Sequence, residues 1–142
     1  MSKRNEVVTR LYANDLRCVA QTKAGLYEST LFGIKPLMIK LREDRSFFEG
    51  AVVADRVIGK AAAMLLAASG VQEVFGAVMS ESAEQFLKQA GISYGYCEKV
   101  PYIKNRTGDG MCPMEETVQS LTDAQDAFDA LEQTIARLMA NK

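Results

Sequence analysis

The sequence predicts a single α/β domain over residues 1–142, and three observations lead there. Short apolar runs alternate with helix-period segments through the middle of the chain, the pattern of parallel strands joined by right-handed crossovers. The run Gly50-Ala51-Val52-Val53-Ala54 is continuously apolar, which suits a strand buried on both faces of a sheet. The balance of 48% hydrophobic and 25% charged residues over 142 positions is that of one ordinary globular core. A chain of this length buries about 68–70% of its unfolded surface and needs no disulfide or metal staple.

Taken in order, Val7, Val8 and Leu11 have helical spacing, and Leu16, Cys18 and Ala20 then alternate with Arg17, Val19 and Gln21 as in a strand. Lys23-Ala24-Gly25 turns the chain into Leu26–Ser29, completing a β-hairpin. Pro36 fits the first turn of a helix with Leu37, Met38 and Leu41 on its apolar face, closed by the charges of Arg42–Arg45. After the strand at Gly50–Ala54, an alanine-rich helix is predicted over Val57–Ser69, stopped by Gly70. Val71–Met79 reads as a strand and Ser82–Gln89 as a short helix closed by Gly91. Tyr94–Val100, aromatic and β-branched, reads as a further strand. Asn105–Gly110 is a polar loop leading to a helix start at Cys112-Pro113-Met114-Glu115. From about Asp123 an amphipathic C-terminal helix carries Asp123, Asp126 and Asp129 at its positive end and the stripe Phe128, Leu131, Ile135, Leu138. That stripe is expected to cover the sheet of the same molecule.

Composition excludes several chemistries. The chain has no histidine, which removes the commonest general base, the Ser-His and Cys-His nucleophile pairs and most catalytic zinc sites. Cys18, Cys97 and Cys112 form no C-x-x-C, so reduced thiols, no metal site and no cofactor are expected. Seventeen Lys and Arg balance eighteen Asp and Glu, and neither a basic stripe nor interleaved aromatics point to nucleic acid. The longest apolar stretch, Ala61 to Ala68, is too short to span a bilayer, and the N-terminus lacks an apolar signal core. A cytoplasmic protein with no membrane partner is expected.

Three helix starts are expected to gather at one end of the sheet, where open α/β sheets bind ligands. At the first, Asp55 precedes Gly59 and Lys60; either Gly59 admits a ligand and Lys60 holds an anion, or Gly59 serves close packing and Lys60 is solvated. At the second, Ser80, Glu81 and Ser82 either cap the next helix, with Gln85 completing a capping box after Ser82, or bind a polar ligand through the helix N–H groups. At the third, Cys112 occupies a cap position where a thiol pKa can fall, and Asn105 and Arg106 either fix their loop or meet a phosphate or carboxylate.

Gly50 through Ala63, Ser80-Glu81-Ser82-Ala83, Asn105-Arg106 and Cys112-Pro113-Met114-Glu115 together resemble a small prokaryotic family catalogued as domain of unknown function 1893, from the first helix to about Val118. The resemblance implies a cytidine deaminase-like fold: three layers, α-β-α, around a mixed five-stranded sheet. In active zinc deaminases one helix opens with a His or Cys and a catalytic Glu, and another follows Pro-Cys-x-x-Cys. By position those places fall near Gly59-Lys60-Ala61 and Ser80–Ala83, which supply neither thiolate nor imidazole. The implication is a likeness of fold without zinc chemistry, and no nucleoside deamination is expected.

The leading expectation is therefore a non-catalytic domain that binds a nucleotide or other small anionic ligand through Asp55, Gly59, Lys60, Ser80, Glu81, Asn105 and Arg106. The alternatives are a non-zinc enzyme using Cys112 with Asp55 or Glu115, and an interaction protein. Deaminase-like folds often assemble, so the resemblance also allows a homodimer.

Overall fold

The computed structural model describes residues 2–141. Helix α1 (Lys3–Ala13) starts where the Ser2 hydroxyl accepts the Asn5 N–H, and it buries Val7 and Leu11. Strands β1 (Cys18–Thr22) and β2 (Gly25–Ser29) form the predicted hairpin, with Cys18 opposite Ser29 and Thr22 opposite Gly25. Helix α2 (Lys35–Glu43) carries Pro36 in its first turn, where no N–H is needed, and buries Leu37, Met38 and Leu41.

The crossovers follow: β3 (Val52–Ile58), α3 (Lys60–Ser69), β4 (Glu73–Ser80), α4 (Glu81–Gln89) and β5 (Ser93–Val100). A short α5 (Pro113–Val118), a single 3-10 turn (Ala124–Asp126) and α6 (Ala127–Ala140) complete the chain. The sheet order is β2-β1-β3-β4-β5. Strand β1 is antiparallel to both neighbours, while β3, β4 and β5 are mutually parallel, so the sheet is mixed and five-stranded as expected.

Two apolar clusters lie on opposite faces. Val7 and Leu11 of α1 pack on Val19, Val52, Ala54 and Phe75 on one face. The other core joins α2, α3, α4, α5 and α6 to the sheet and contains Leu65, Leu66, Leu87, Val118 and Leu131. Each such side chain withdrawn from water contributes on the order of 1.5–3 kcal/mol. Helix α3 is central: seven of its ten residues are buried, and small Ala61, Ala62 and Ala63 allow close packing on several sides. Gly70 ends it at φ 87°, the left-handed conformation that glycine adopts without steric cost. Among the described residues no helix is long and apolar enough to cross a membrane.

Three sequence expectations need correction. The strand predicted to end at Ala54 runs to Ile58, because Cys18 pairs with Asp55 and the Arg56 N–H reaches the Arg17 carbonyl. The two polar residues are tolerated there because the Arg56 guanidinium donates to the carbonyls of Leu11 and Leu16 and the Asp55 carboxylate accepts the Val57 N–H. Helix α3 accordingly starts at Lys60 instead of Val57, with Gly59 as its extended N-cap. The last helix begins at Ala127 after a separate 3-10 turn capped by Asp123, and its stripe of Phe128 and Leu131 packs on α3 and α5. The sheet is thus covered by α3 on that side, and α6 lies outside it; Leu138 stays 40% exposed.

Candidate functional site

The parallel strands deliver the N-termini of α3 and α4 and the chain leaving β5 to one edge of the sheet. A cavity of about 330 Å³ lies there. Helix α4 supplies one wall with Ser82, Gln85, Phe86 and Gln89, spaced i, i+3, i+4 and i+7 and therefore on one helical stripe. Pro101, Tyr102 and Met111, from the segment after β5, face that wall, and Gln119, Leu121 and Thr122 close the side below α5. Lys60 and Glu115 also line it.

Glu115 is only 8% exposed. Its Oε1 accepts the Lys60 N–H at 2.7 Å and its Oε2 accepts the Ala61 N–H at 3.1 Å. A carboxylate of the chain itself thus occupies the positive N-terminus of α3, where two backbone donors have no helical partner. Burial raises the Glu115 pKa, and the two N–H donors with the Lys60 charge oppose that rise. In return the Lys60 ammonium donates to the carbonyls of Gln119, at 3.1 Å, and Leu121, at 2.7 Å. The two side chains form a reciprocal clasp between the start of α3 and the end of α5. Gly59 makes room for it, since a Cβ there would stand 2.5–2.6 Å from the Glu115 carboxylate.

Of the residues singled out in the sequence, Lys60 and Glu115 meet at this cavity with Gly59 beside them. Ser82 and Gln85 of the second helix start also line it, whereas Asp55, Ser80, Glu81, Asn105, Arg106 and Cys112 do not. Ser80 is fully buried and caps α4, its Oγ accepting the Ala83 N–H at 3.1 Å and meeting the Ser82 Oγ at 3.2 Å. The cap therefore falls earlier in the chain than a Ser82–Gln85 box would place it, and Gln85 faces the cavity. Glu81 lies exposed in the first turn of α4. Asn105 closes its own turn, with Oδ1 accepting the N–H groups of Gly108 and Asp109 and Nδ2 donating to Asp109 at 3.0 Å. Arg106 is exposed on that turn.

Asp55 sits inside the sheet, 6% exposed, opposite Cys18 on β1. Burial pushes its pKa up to about 7 against the opposing pull of the Val57 N–H, the Cys18 thiol and Arg17. Lys60, Ser80 and Arg106, expected to share one anion, make separate contacts. Lys60 donates to two carbonyls, Ser80 caps a helix, and Arg106 rides a turn held by the hydrogen bonds of Asn105.

Cys112 holds the predicted cap position of α5, but its side chain makes no capping bond. Its two proposed acid/base partners are committed elsewhere, Glu115 to α3 and Asp55 to the sheet interior. Cys18 is fully buried, and burial and the Asp55 charge raise its thiol well above the ordinary range. Cys97 is exposed. Iodoacetamide under native conditions should therefore label Cys97 first, half-buried Cys112 more slowly and Cys18 only on unfolding, as read by peptide mass spectrometry. Labelling of Cys112 ahead of Cys97 would mark an activated thiolate and restore the nucleophile reading.

The two segments to which the deaminase resemblance pointed do not fit zinc. Gly59, Lys60 and Ala61 and the segment Ser80–Ala83 offer neither sulfur nor imidazole, and the nearby carboxylate of Glu115 is bound to backbone donors. Among the described residues no group of three or more His, Cys, Asp or Glu side chains is arranged to hold a metal ion.

Sequence reasoning missed the α4 stripe. Its signal lies in the helical spacing of Ser82, Gln85, Phe86 and Gln89, whereas the sequence reading weighed the serines, Gln85 and the helix N–H groups only as cap or ligand site. No local pattern announces the Lys60–Glu115 clasp, which joins residues 55 positions apart.

A family model described as "TM1506: Domain of unknown function (DUF1893)" matches residues 6–135. Among solved structures, the chain is similar to the crystal structure of a DUF1893 family protein (TM1506) from Thermotoga maritima. The two are 27% identical, the match covers 91% of this chain and 87% of that one, and the TM-score is 0.81. No curated protein matches the chain.

Proposed function

The chain belongs to the DUF1893 family, and on that premise we propose that it is a non-catalytic binding domain on a deaminase-like scaffold, holding a small polar molecule in the cavity beside α3 and α4. The observation that carries this is the α4 stripe, which turns two exposed amides and a half-buried aromatic ring into a cavity at the carboxyl ends of the parallel strands, where open α/β sheets bind ligands. The mixed sheet with crossover helices starting at that edge supports the deaminase-like reading. The groups nearby support the non-catalytic reading: both Glu115 oxygens accept backbone N–H groups, so the first carboxylate after Cys112 in the chain is already engaged.

Native mass spectrometry of the purified protein after incubation with a small-molecule metabolite pool tests the proposal. A retained mass that is lost in Phe86→Ala is the expected result. Wild-type protein that emerges bare from every pool overturns it.

A second reading, a homodimer formed along β5, has one observation in its favour. This eight-residue strand is a sheet edge and largely exposed, open to pairing with another copy. Light scattering at the expected mass of two chains would support it, and a monomer at all concentrations would remove it.

A further inference from the structure

Resting on that binding reading, we infer that the ligand is an uncharged planar molecule bearing amide-type N–H and C=O groups, and that the site discriminates against phosphates and carboxylates. The two features that would receive an anion are already used. Glu115 fills the N-terminus of α3 through both oxygens, and Lys60 directs its ammonium to the carbonyls of Gln119 and Leu121. The first turn of α4 is capped by Ser80. Arg106 does not line the cavity.

The Glu115 carboxylate already offsets the Lys60 ammonium beside it, so an anion entering here leaves the cavity with a net negative charge. Like charges in a partly buried site repel far more strongly than in bulk water. The polar groups that remain are neutral: the side-chain amides of Gln85, Gln89 and Gln119 and the hydroxyls of Ser82, Tyr102 and Thr122. Amides both donate and accept, so they match a ligand edge that carries an N–H beside a carbonyl. Phe86 and Tyr102 add aromatic surface that a flat body can pack against. The volume of about 330 Å³ is at the small end for ligand pockets and suits one or two fused rings better than a nucleotide.

Matched probe pairs that differ in charge test the inference: nicotinamide against nicotinate, uracil against orotate, and inorganic phosphate alone. Titrations followed by amide chemical shifts of the full chain give affinity and location together. The expected result is that the uncharged member binds at least tenfold more tightly and shifts residues of the cavity. The exposed pair Gln85→Ala and Gln89→Ala, made together, should weaken it more than fivefold without unfolding the protein. Glu115→Gln should narrow the gap between the charged and uncharged members at least threefold.

Equal or tighter binding of the carboxylates or phosphate at this cavity would overturn the inference while leaving the binding reading intact. An unchanged affinity in the double glutamine variant would also overturn it. If no probe shifts the cavity residues, this ligand class is wrong. The binding reading then stands or falls on the metabolite-pool experiment.

Discussion

Gly59→Ala should destabilise the domain by about 2–4 kcal/mol, the sum of overpacking at a closed contact and the loss of bonds to buried donors. The backbone is not the cause: φ −99° and ψ −179° are extended values that any residue adopts. The cause is space, because the new methyl carbon would fall 2.5 Å from the Glu115 carboxylate. That carboxylate must then leave the Lys60 and Ala61 N–H groups, and α5 must shift with it. A loss of this size lowers the melting temperature by roughly 10 °C in a domain of this length. Thermal and urea denaturation of wild type, Gly59→Ala, Glu115→Ala and the double variant form a cycle. The expected coupling is about 1–2 kcal/mol, since the methyl added at Gly59 occupies room that truncation of Glu115 vacates. Strict additivity would show that the methyl collides with something other than Glu115.

Asp55→Asn should make the protein more stable at pH 8 and leave it nearly unchanged at pH 4. Below the unfolded value of a carboxylic acid both states carry the proton and Asp55 costs nothing electrostatic. As pH rises past that value the unfolded chain ionises while the native state keeps its proton, so native stability falls with pH. The fall ends once the native group ionises as well, near 7. The rise from 3.8 to about 7 corresponds to about 4 kcal/mol, an order-of-magnitude figure for a group with this degree of burial. Asparagine keeps an oxygen for the Val57 N–H and has no charge to desolvate. Glu115, whose pKa is also raised by burial, contributes a slope of the same sign and remains in the variant. Urea denaturation at pH 4, 6 and 8 measures both slopes. If Asp55→Asn were the less stable protein at pH 8, the charge would be supporting the sheet, and the assignment of a burial penalty would be wrong.

The parts of the fold set by local chemistry were legible in the sequence. Pro36 placed the start of α2, Gly70 the end of α3, and Lys23-Ala24-Gly25 the hairpin, because each is a backbone preference expressed within a few residues. The boundary between β3 and α3 was misplaced because it depends on partners far away. Asp55 and Arg56 look like a loop until Cys18, Leu11 and Leu16 are brought beside them. The site divides in the same way. Gly59, Lys60 and Glu115 were recognised as unusual, but as separate starts of separate helices. Their common purpose becomes visible only when α5 lies across the first turn of α3. The glutamines of α4 had the spacing of a shared face, yet nothing in the sequence showed that the face borders a cavity and not open solvent.

That clasp also bears on the order in which the chain assembles. The first turn of α3 takes its hydrogen-bond acceptors from a residue more than fifty positions downstream, so β3, α3 and β4 can associate well before those two N–H groups are satisfied. Contacts of long sequence separation are closed late unless they belong to the nucleus. Docking of α5 is then expected to come late, on a nearly complete sheet, with its bonds still unformed at the rate-limiting step of folding. Glu115→Ala should therefore raise the unfolding rate more than it lowers the folding rate in stopped-flow denaturant kinetics, which would make this one side chain a determinant of how long the folded molecule persists.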